Sequence, residues 1–590
     1  MVQSCEVLSF LKDKSTIYRL VSRAFELGGG STGVCIEPIM KQWLQKLGLH
    51  YGNVLVDQEP AKIRRLCETI WHNTRSPLAF DGNISAMDWA SLGTGPNIRW
   101  EVIGMIAAIA GSCAVSLEPS DPFLAEAGIS GLDFARRMKG LSEICLGFCY
   151  DCNVISDMLL WLVVEWSCLV VRVEGDISYA SYRASGEEVN IVITMGLHQK
   201  IEANNRLPFF LAEIRKSIFI AIYASEIGLS AFLGRPPRLS YHYCTLDPPL
   251  DLTEAQLMLG PDEIAEILKT LDKDGYNTVG RIGSAVRIRS RIELTCRRED
   301  ILDLALGKHT REEVLHRAQV IQERTEQEWA RLPEFIRKIR DGAASESHAT
   351  SAVKPHDRLI NFSFCQLLRN NELLLQRVLI RKAGASSEKL LQEARAMFKD
   401  VLHLSQRFDV ASAHLRDVNS ILVVHGLRSA AILAVELLKQ EQLPHPDSAR
   451  LPRSQTIQEL AVFAARLGSV DPRDGSFAMC DQGRKVIQRI LDKVLSPLAK
   501  AADKAHPDRR SLWDGGGGGA QQQQMSAGQL DASAAASGEP IRNCGLTPEI
   551  TATTMDIDFG FDAPYLGHDR DFMQWLEHVD WDRPEAWNTF

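Results

Sequence analysis

Apolar residues recur at helical spacing over most of residues 61–505. Leu211, Ile214, Ile218, Ile222, Leu229 and Leu233 mark one stripe, and Leu367, Leu368, Leu374, Leu375, Val378 and Leu379 a second. Ile421, Leu422, Leu433, Leu437 and Leu438 mark a third. Intervals of three and four bring side chains to one face of a helix, so this pattern predicts a mostly α fold with one large multi-helix domain. Residues 8–27 read as a helix that Gly28, Gly29 and Gly30 stop. Thr310 followed by Glu313 is the pattern of a capping box, opening a helix toward Trp329. Strand signals are few. Residues 241–245 read as extended, between the proline pairs Pro236–Pro237 and Pro248–Pro249. No repeat of fixed period is present.

Two stretches are apolar throughout, 102–117 with Gly104 and Gly111 inside it, and 158–171 carrying Glu165. Both fall short of the roughly 20 residues that a membrane span needs, so both are expected to be buried core helices and no membrane partner is expected. Residues 341–355 are small and polar and read as an exposed loop. Composition changes sharply after His506, with five glycines at 515–519 and four glutamines at 521–524. Such sequence buries no core and is expected to be disordered. The chain therefore divides into an N-terminal helical and loop segment (1–60), the helical domain (61–505), a Gly/Gln/Ser/Ala-rich linker (506–554) and an acidic-aromatic tail (555–590).

Composition narrows the function classes. The 590 residues are 45% hydrophobic and 24% charged, with a formal net charge of −9. That balance gives no global attraction to nucleic acid or to anionic membrane. Arg281, Arg287, Arg289, Arg291, Arg297 and Arg298 form a local basic run, read as a solvated helix face in preference to a phosphate-binding patch. The 13 cysteines are scattered and read as reduced thiols. Cys149 and Cys152 make a Cys-x-x-Cys pair with Cys145 and Cys168 nearby, but no second ligand pair stands at zinc-site spacing, so core thiols are expected. The N-terminus has no secretory pattern. The glycine run ending at Gly33 lacks the Gly-Lys-Ser/Thr of a phosphate loop, and no nucleotide fingerprint or nucleophile elbow is found. No enzyme activity, cofactor or metal is expected.

Two segments carry a family resemblance. Residues 210–238 hold a basic pair (Arg215, Lys216), aromatics (Phe219, Tyr223), an acidic residue (Glu226), and then Leu233, Gly234, Arg235, Pro236 and Pro237. Residues 187–199 end in Met195, Gly196, Leu197, His198 and Gln199. Residues 246–251 follow as Leu-Asp-Pro-Pro-Leu-Asp. In order and spacing these pieces resemble the fungal transcription-factor regulatory domain, the middle homology region. The physics of the motif is structural. Gly234 is placed to close a helix in the left-handed conformation, and Pro236 and Pro237 prevent its resumption. Arg235 is expected to bond the last helical carbonyls or to pair with a carboxylate such as Glu226. Gly196 ends the preceding helix in the same way, and His198 just past that end reads as a packing residue meeting the helix dipole.

The resemblance implies a transcription regulator, nuclear, of a metabolic gene set that includes secondary metabolism as one candidate. Relatives carry a zinc cluster of six cysteines ahead of this domain. Cys5, Cys35 and Cys67 cannot build one, so DNA contact is expected to be indirect, through other regulators or coactivators. Two alternatives stand beside this reading: a co-regulator that senses a small-molecule effector, and a shortened form of a zinc-cluster protein. In the tail, Phe572, Trp575, Leu576 and Val579 fall on one helical face with Asp569 and Asp571 at its start. That face suits a partner groove, as in an activation segment, and equally suits docking onto the helical domain.

Overall fold

The computed structural model describes residues 2–27, 37–343 except 177, and 355–496 except 408, 409, 411, 413 and 442–449. The glycine run 28–30, Cys35, most of the 341–355 loop, the linker and the whole tail, including Phe572, Trp575, Leu576 and Val579, lie outside these residues. Among the described residues the architecture is helical throughout, with two isolated bridges (Asn204–Leu207 and Leu271–Asn277) and no strand. Its main helices are α1 (Val2–Ser9), α2 (Lys14–Glu26), α3 (Glu37–Asp57), α4 (Pro60–Arg75), α5 (Trp100–Ser116), α6 (Gly131–Cys152), α7 (Asp157–Glu174), α8 (Tyr179–Thr194) and α9 (Phe209–Leu233). They continue as α10 (Ser284–Leu306), α11 (Arg311–Arg331), α12 (Pro355–Ala383), α13 (Glu388–Ser405), α14 (Leu415–Ile421), α15 (Arg428–Gln440), α16 (Arg453–Leu467) and α17 (Phe477–Leu495). A π-helical turn, Leu422–Leu427, joins α14 to α15.

The sequence places the helix ends. Ser130, Ser156 and Ser178 each accept a backbone N–H at the start of α6, α7 and α8. Thr310 and Glu313 form the expected reciprocal box at the start of α11. Three local readings are corrected. The helix expected over 8–27 is broken at Asp13, whose side chain accepts from Thr16 N at 3.2 Å and restarts the chain as α2. Of residues 241–245, Tyr241–Tyr243 is not extended but a 3-10 turn whose N-cap Ser240 accepts from His242 N, while Cys244 after it is extended. Residues 341–343 continue the helix Glu334–Ala343 and do not begin a loop.

Every residue of α5 is buried, as befits a helix that is apolar all round. Its two glycines let neighbours approach: a Cβ on Gly104 would stand 2.8 Å from Cys145 Cβ, and one on Gly111 would stand 2.8 Å from Met138 Cβ. α6 and α7 therefore pack directly on the α5 backbone, and one continuous core runs from α1 to α10 around them. A second core joins α12–α17. The apolar helices Phe209–Leu233 and Leu415–Gln440 are long enough to cross a membrane, but most of each is buried within these cores.

Ion pairs pin the first core. Arg99, 3% exposed, contacts Glu101, 1% exposed, at 3.0 Å. Its guanidinium also donates to the carbonyls of Asn73, Thr74 and Ser76, at the end of α4. Far along the chain, Ser412, Arg416 and Gly475 return to this core. Arg416 Nε donates to Val115 O at 3.3 Å, and Glu118 N to Ser412 O at 3.1 Å. Gly475 crosses the end of α7 backbone to backbone, where Gly175 has φ +87° and a Cβ on it would meet Gly475 O at 2.6 Å.

Candidate functional site

The motif of residues 210–238 folds into a buried carboxylate hub. α9 runs to Leu233, and Gly234, at φ 57° and ψ 42°, closes it in the left-handed region as its position in the sequence predicts. Glu226 sits about two turns earlier and is 1% exposed. It accepts from Ser185 Oγ on α8 at 2.9 Å and from Ser230 Oγ at 3.3 Å. It also accepts from the backbone N of Arg238 at 2.9 Å and from Arg238 Nη1 at 2.8 Å. The Arg238 guanidinium lies 3.8 Å from the centroid of the Tyr182 ring. The partner of Glu226 is thus Arg238 and not Arg235, which is exposed together with Pro236 and contributes its backbone N to Ser230 O at 2.9 Å. Pro236 and Pro237 turn the chain so that the third residue after Arg235 meets the carboxylate.

The basic pair also works through carboxylates. Arg215 donates twice to Asp157, 2.7 and 2.8 Å, tying α9 to the first turn of α7. Lys216 donates to Glu213 at 2.8 Å, and the other Glu213 oxygen accepts Leu250 N at 2.6 Å, holding the proline-bearing loop. Of the two aromatics, Tyr223 is fully buried and donates to Glu299 on α10 at 2.7 Å. Gly196, at φ +72°, ends α8 with Leu197 N bonded back to Val192 O at 2.9 Å, as expected. His198 beyond it is half-buried, and its carbonyl accepts Thr245 N at 2.8 Å.

Behind this hub lies a cavity of about 680 Å³ between α5, α7, α8, α9, α10, α12 and the π-helical turn. Its volume falls in the range of small-molecule sites, roughly 300–1,000 Å³. Ile218, Ile222 and Phe232 of α9 give it an apolar wall. Arg291 and Arg298 of α10 reach it from another side, with His425 of the π-helical turn. This corrects the reading of the basic run as a solvated face: Arg281 is exposed, but Arg289 and Arg297 are buried and Arg287, Arg291 and Arg298 are half-buried. Arg289 donates to the carbonyls of Pro249 and Asp274, and Arg297 pairs with Asp300 at 2.8 Å. The helix is exposed at Glu293 and Asp303, but the side that carries most of the arginines faces the interior. Sequence reasoning missed His425 and the π-helical turn; a polar pair, His425 and Gly426, inside an apolar run was the signal available.

The acidic lining groups stand mostly on other helices. Asp417 of α14 is held down at about 2 by the Arg172 guanidinium and His414, against its own burial. Asp176 accepts from Ser420 Oγ at 2.9 Å. Burial pushes the Glu188 carboxyl up to about 8, with the Glu226 and Glu165 charges adding to the effect. Glu188 is therefore neutral at pH 7. A raised folded-state value contributes stability that is fully present below the unfolded value, about 4.5, and is lost as pH rises through about 8. Glu188→Gln is expected to melt with the parent near pH 5 and progressively above it toward pH 9. A pH-independent offset in the two melting curves would show that another group titrates.

Among the described residues no group of three or more His, Cys, Asp or Glu is placed to hold a metal ion. The described cysteines form no disulfide, and burial pushes the thiols of Cys113 and Cys296 up to about 12. Compared with known proteins, residues 153–273 match the family described as fungal specific transcription factor domain. The match covers Glu226 with its partners and the loop that Glu213 holds; Glu299, which Tyr223 meets, lies beyond it. No curated protein and no solved structure matches the chain.

Proposed function

We propose that this chain, which carries a fungal specific transcription factor domain, is a nuclear transcription regulator acting through partner proteins. The match over residues 153–273 carries the reading. The site agrees with it: the motif residues spend their polar atoms on one another, tying α7, α8, α9 and α10 together. Such a hub fixes the geometry of a helical body. The net charge of −9 supports contact with DNA through other regulators or coactivators. In this reading the tail is the output. Phe572, Trp575, Leu576 and Val579 stand at helical spacing in acidic sequence, a pattern suited to a coactivator groove and, in the silent state, to the helical domain itself. The regulated genes belong to metabolism, with secondary metabolism the first place to look.

A reporter assay tests the proposal. The chain is tethered to a foreign DNA-binding domain, full length and cut before Met555. Activation by the full-length fusion and loss of activation in the shortened one is the expected result. Equal output from both would remove the activation role from the tail.

A further inference from the structure

The cavity behind the hub has an uneven distribution of charge that its own side chains do not neutralise. Arg291 and Arg298 stand seven residues apart on α10, two turns along one face. Arg298 is anchored by neutral groups: Nε donates to Asn371 Oδ1 at 2.8 Å and Nη2 to Leu367 O at 3.3 Å. Arg291 has no carboxylate partner among the described residues. Burial alone pushes its pKa down. Arg298 is pushed down to about 9 by burial and by the Arg428 and Arg291 charges. His425, bonded through Nδ1 to Asn370 at 2.8 Å, is held down at about 3 by burial and by the Arg428 and Arg298 charges, and so stays neutral. Every charged group perturbing Arg298 and His425 is itself a cation. The lining carboxylates act elsewhere or are neutral: Asp417 pairs with Arg172 at 3.4 Å, Glu165 acts on the same Arg172, Asp176 accepts from Ser420, and Glu188 is protonated.

A half-buried guanidinium without a counter-ion is costly, and a cavity that collects two of them at one wall is a receptor for an oxyanion. We propose that the cavity binds a small amphipathic organic anion, its carboxylate or phosphate held at the α10 wall by Arg291 and Arg298 and its apolar body lying along Ile218, Ile222 and Phe232. Binding of this kind would make the helical body a sensor. That consequence rests on the regulator reading; the binding itself does not.

Gly228 on α9 also lines the cavity, and a Cβ there would meet only Arg298 Nη1, at 3.9 Å. The position is therefore open toward the ligand space, and Gly228→Leu fills that space while raising helix propensity. Arg291→Met removes the unpaired charge and keeps the side chain's length.

The test is isothermal titration of the purified full chain with octanoate, octyl phosphate and 1-octanol. One saturable site for octanoate or octyl phosphate is expected, with 1-octanol binding at least about tenfold more weakly, the loss of one charge-assisted pair. The tighter of the two anions identifies carboxylate or phosphate as the natural head. Arg291→Met is expected to weaken the anion at least about tenfold without lowering the melting temperature, and Gly228→Leu to abolish binding in a folded protein. Equal binding of 1-octanol, or parent-like anion binding in both variants, would overturn the proposal. Neither result touches the reporter assay, which reads the tail.

Discussion

Arg99→Leu is expected to lower the stability of the helical body by about 3–5 kcal/mol, the cost of stranding one member of a buried ion pair. Glu101 is 1% exposed and would be left without its guanidinium, with Thr74 Oγ1, at 3.4 Å, beside it. Three carbonyls at the end of α4 would lose their donor at the same time. The double variant Arg99→Leu/Glu101→Leu is expected to be the more stable of the two, because it removes the orphaned carboxylate. Urea unfolding of the parent and both variants checks this. A double variant less stable than Arg99→Leu would mean that Glu101 has value apart from its arginine.

Gly475→Ala is expected to cost about 3 kcal/mol or more. The new methyl would run into the carbonyl carbon of Glu174 and the nitrogen of Gly175, which are backbone atoms and cannot swing aside. α7 already ends there, with Gly175 N bonded to Val171 O at 2.9 Å, so relief would require moving the helix end. Thermal unfolding of Gly475→Ala beside Gly468→Ala separates the effect from a general glycine penalty. At Gly468 φ is −70°, and the nearest atom to a new Cβ is the flexible Arg484 Cδ at 3.2 Å. Equal melting points for the two variants would show that the crossing is loose.

Much of the helical framework was legible before the structure. The stripe from Leu211 to Leu233 and the Thr310–Glu313 pair are local signals, set by neighbours three and four residues away, and both survive folding unchanged. Tertiary partners are not local. Arg235 and Arg238 lie either side of two prolines, and chain proximity favours the first; only the path of the loop over Tyr182 gives Glu226 to the second. The arginines of α10 show the same limit. Ile288 and Ile292 mark one buried face, and the flank that carries Arg291 and Arg298 reads as solvated when nothing else is known. α9 and α12 pack against the same helix and shut that flank into the cavity wall instead. Arg99 and Glu101 stand two residues apart in an unremarkable stretch, and their burial is decided by the ends of α4 and α5 meeting. Asp13 could have been found: an N-cap residue three positions before Thr16 is a restart signal inside an apolar run.

The crossing of Gly475 over the end of α7 also sets a timetable for synthesis. Gly175 leaves the ribosome about 300 residues before its partner, which at roughly 5–20 residues per second is a wait of roughly 15–60 s. Over that interval α5, α6 and α7 can assemble with one another, but Val115 O and Glu118 N have neither Arg416 nor Ser412 to meet. The apolar seam beside them stays open until the last fifth of the helical body is made. A nascent chain of this design needs shelter for most of its translation, and ribosomes paused before residue 412 should hold it in a form that chaperones recognise.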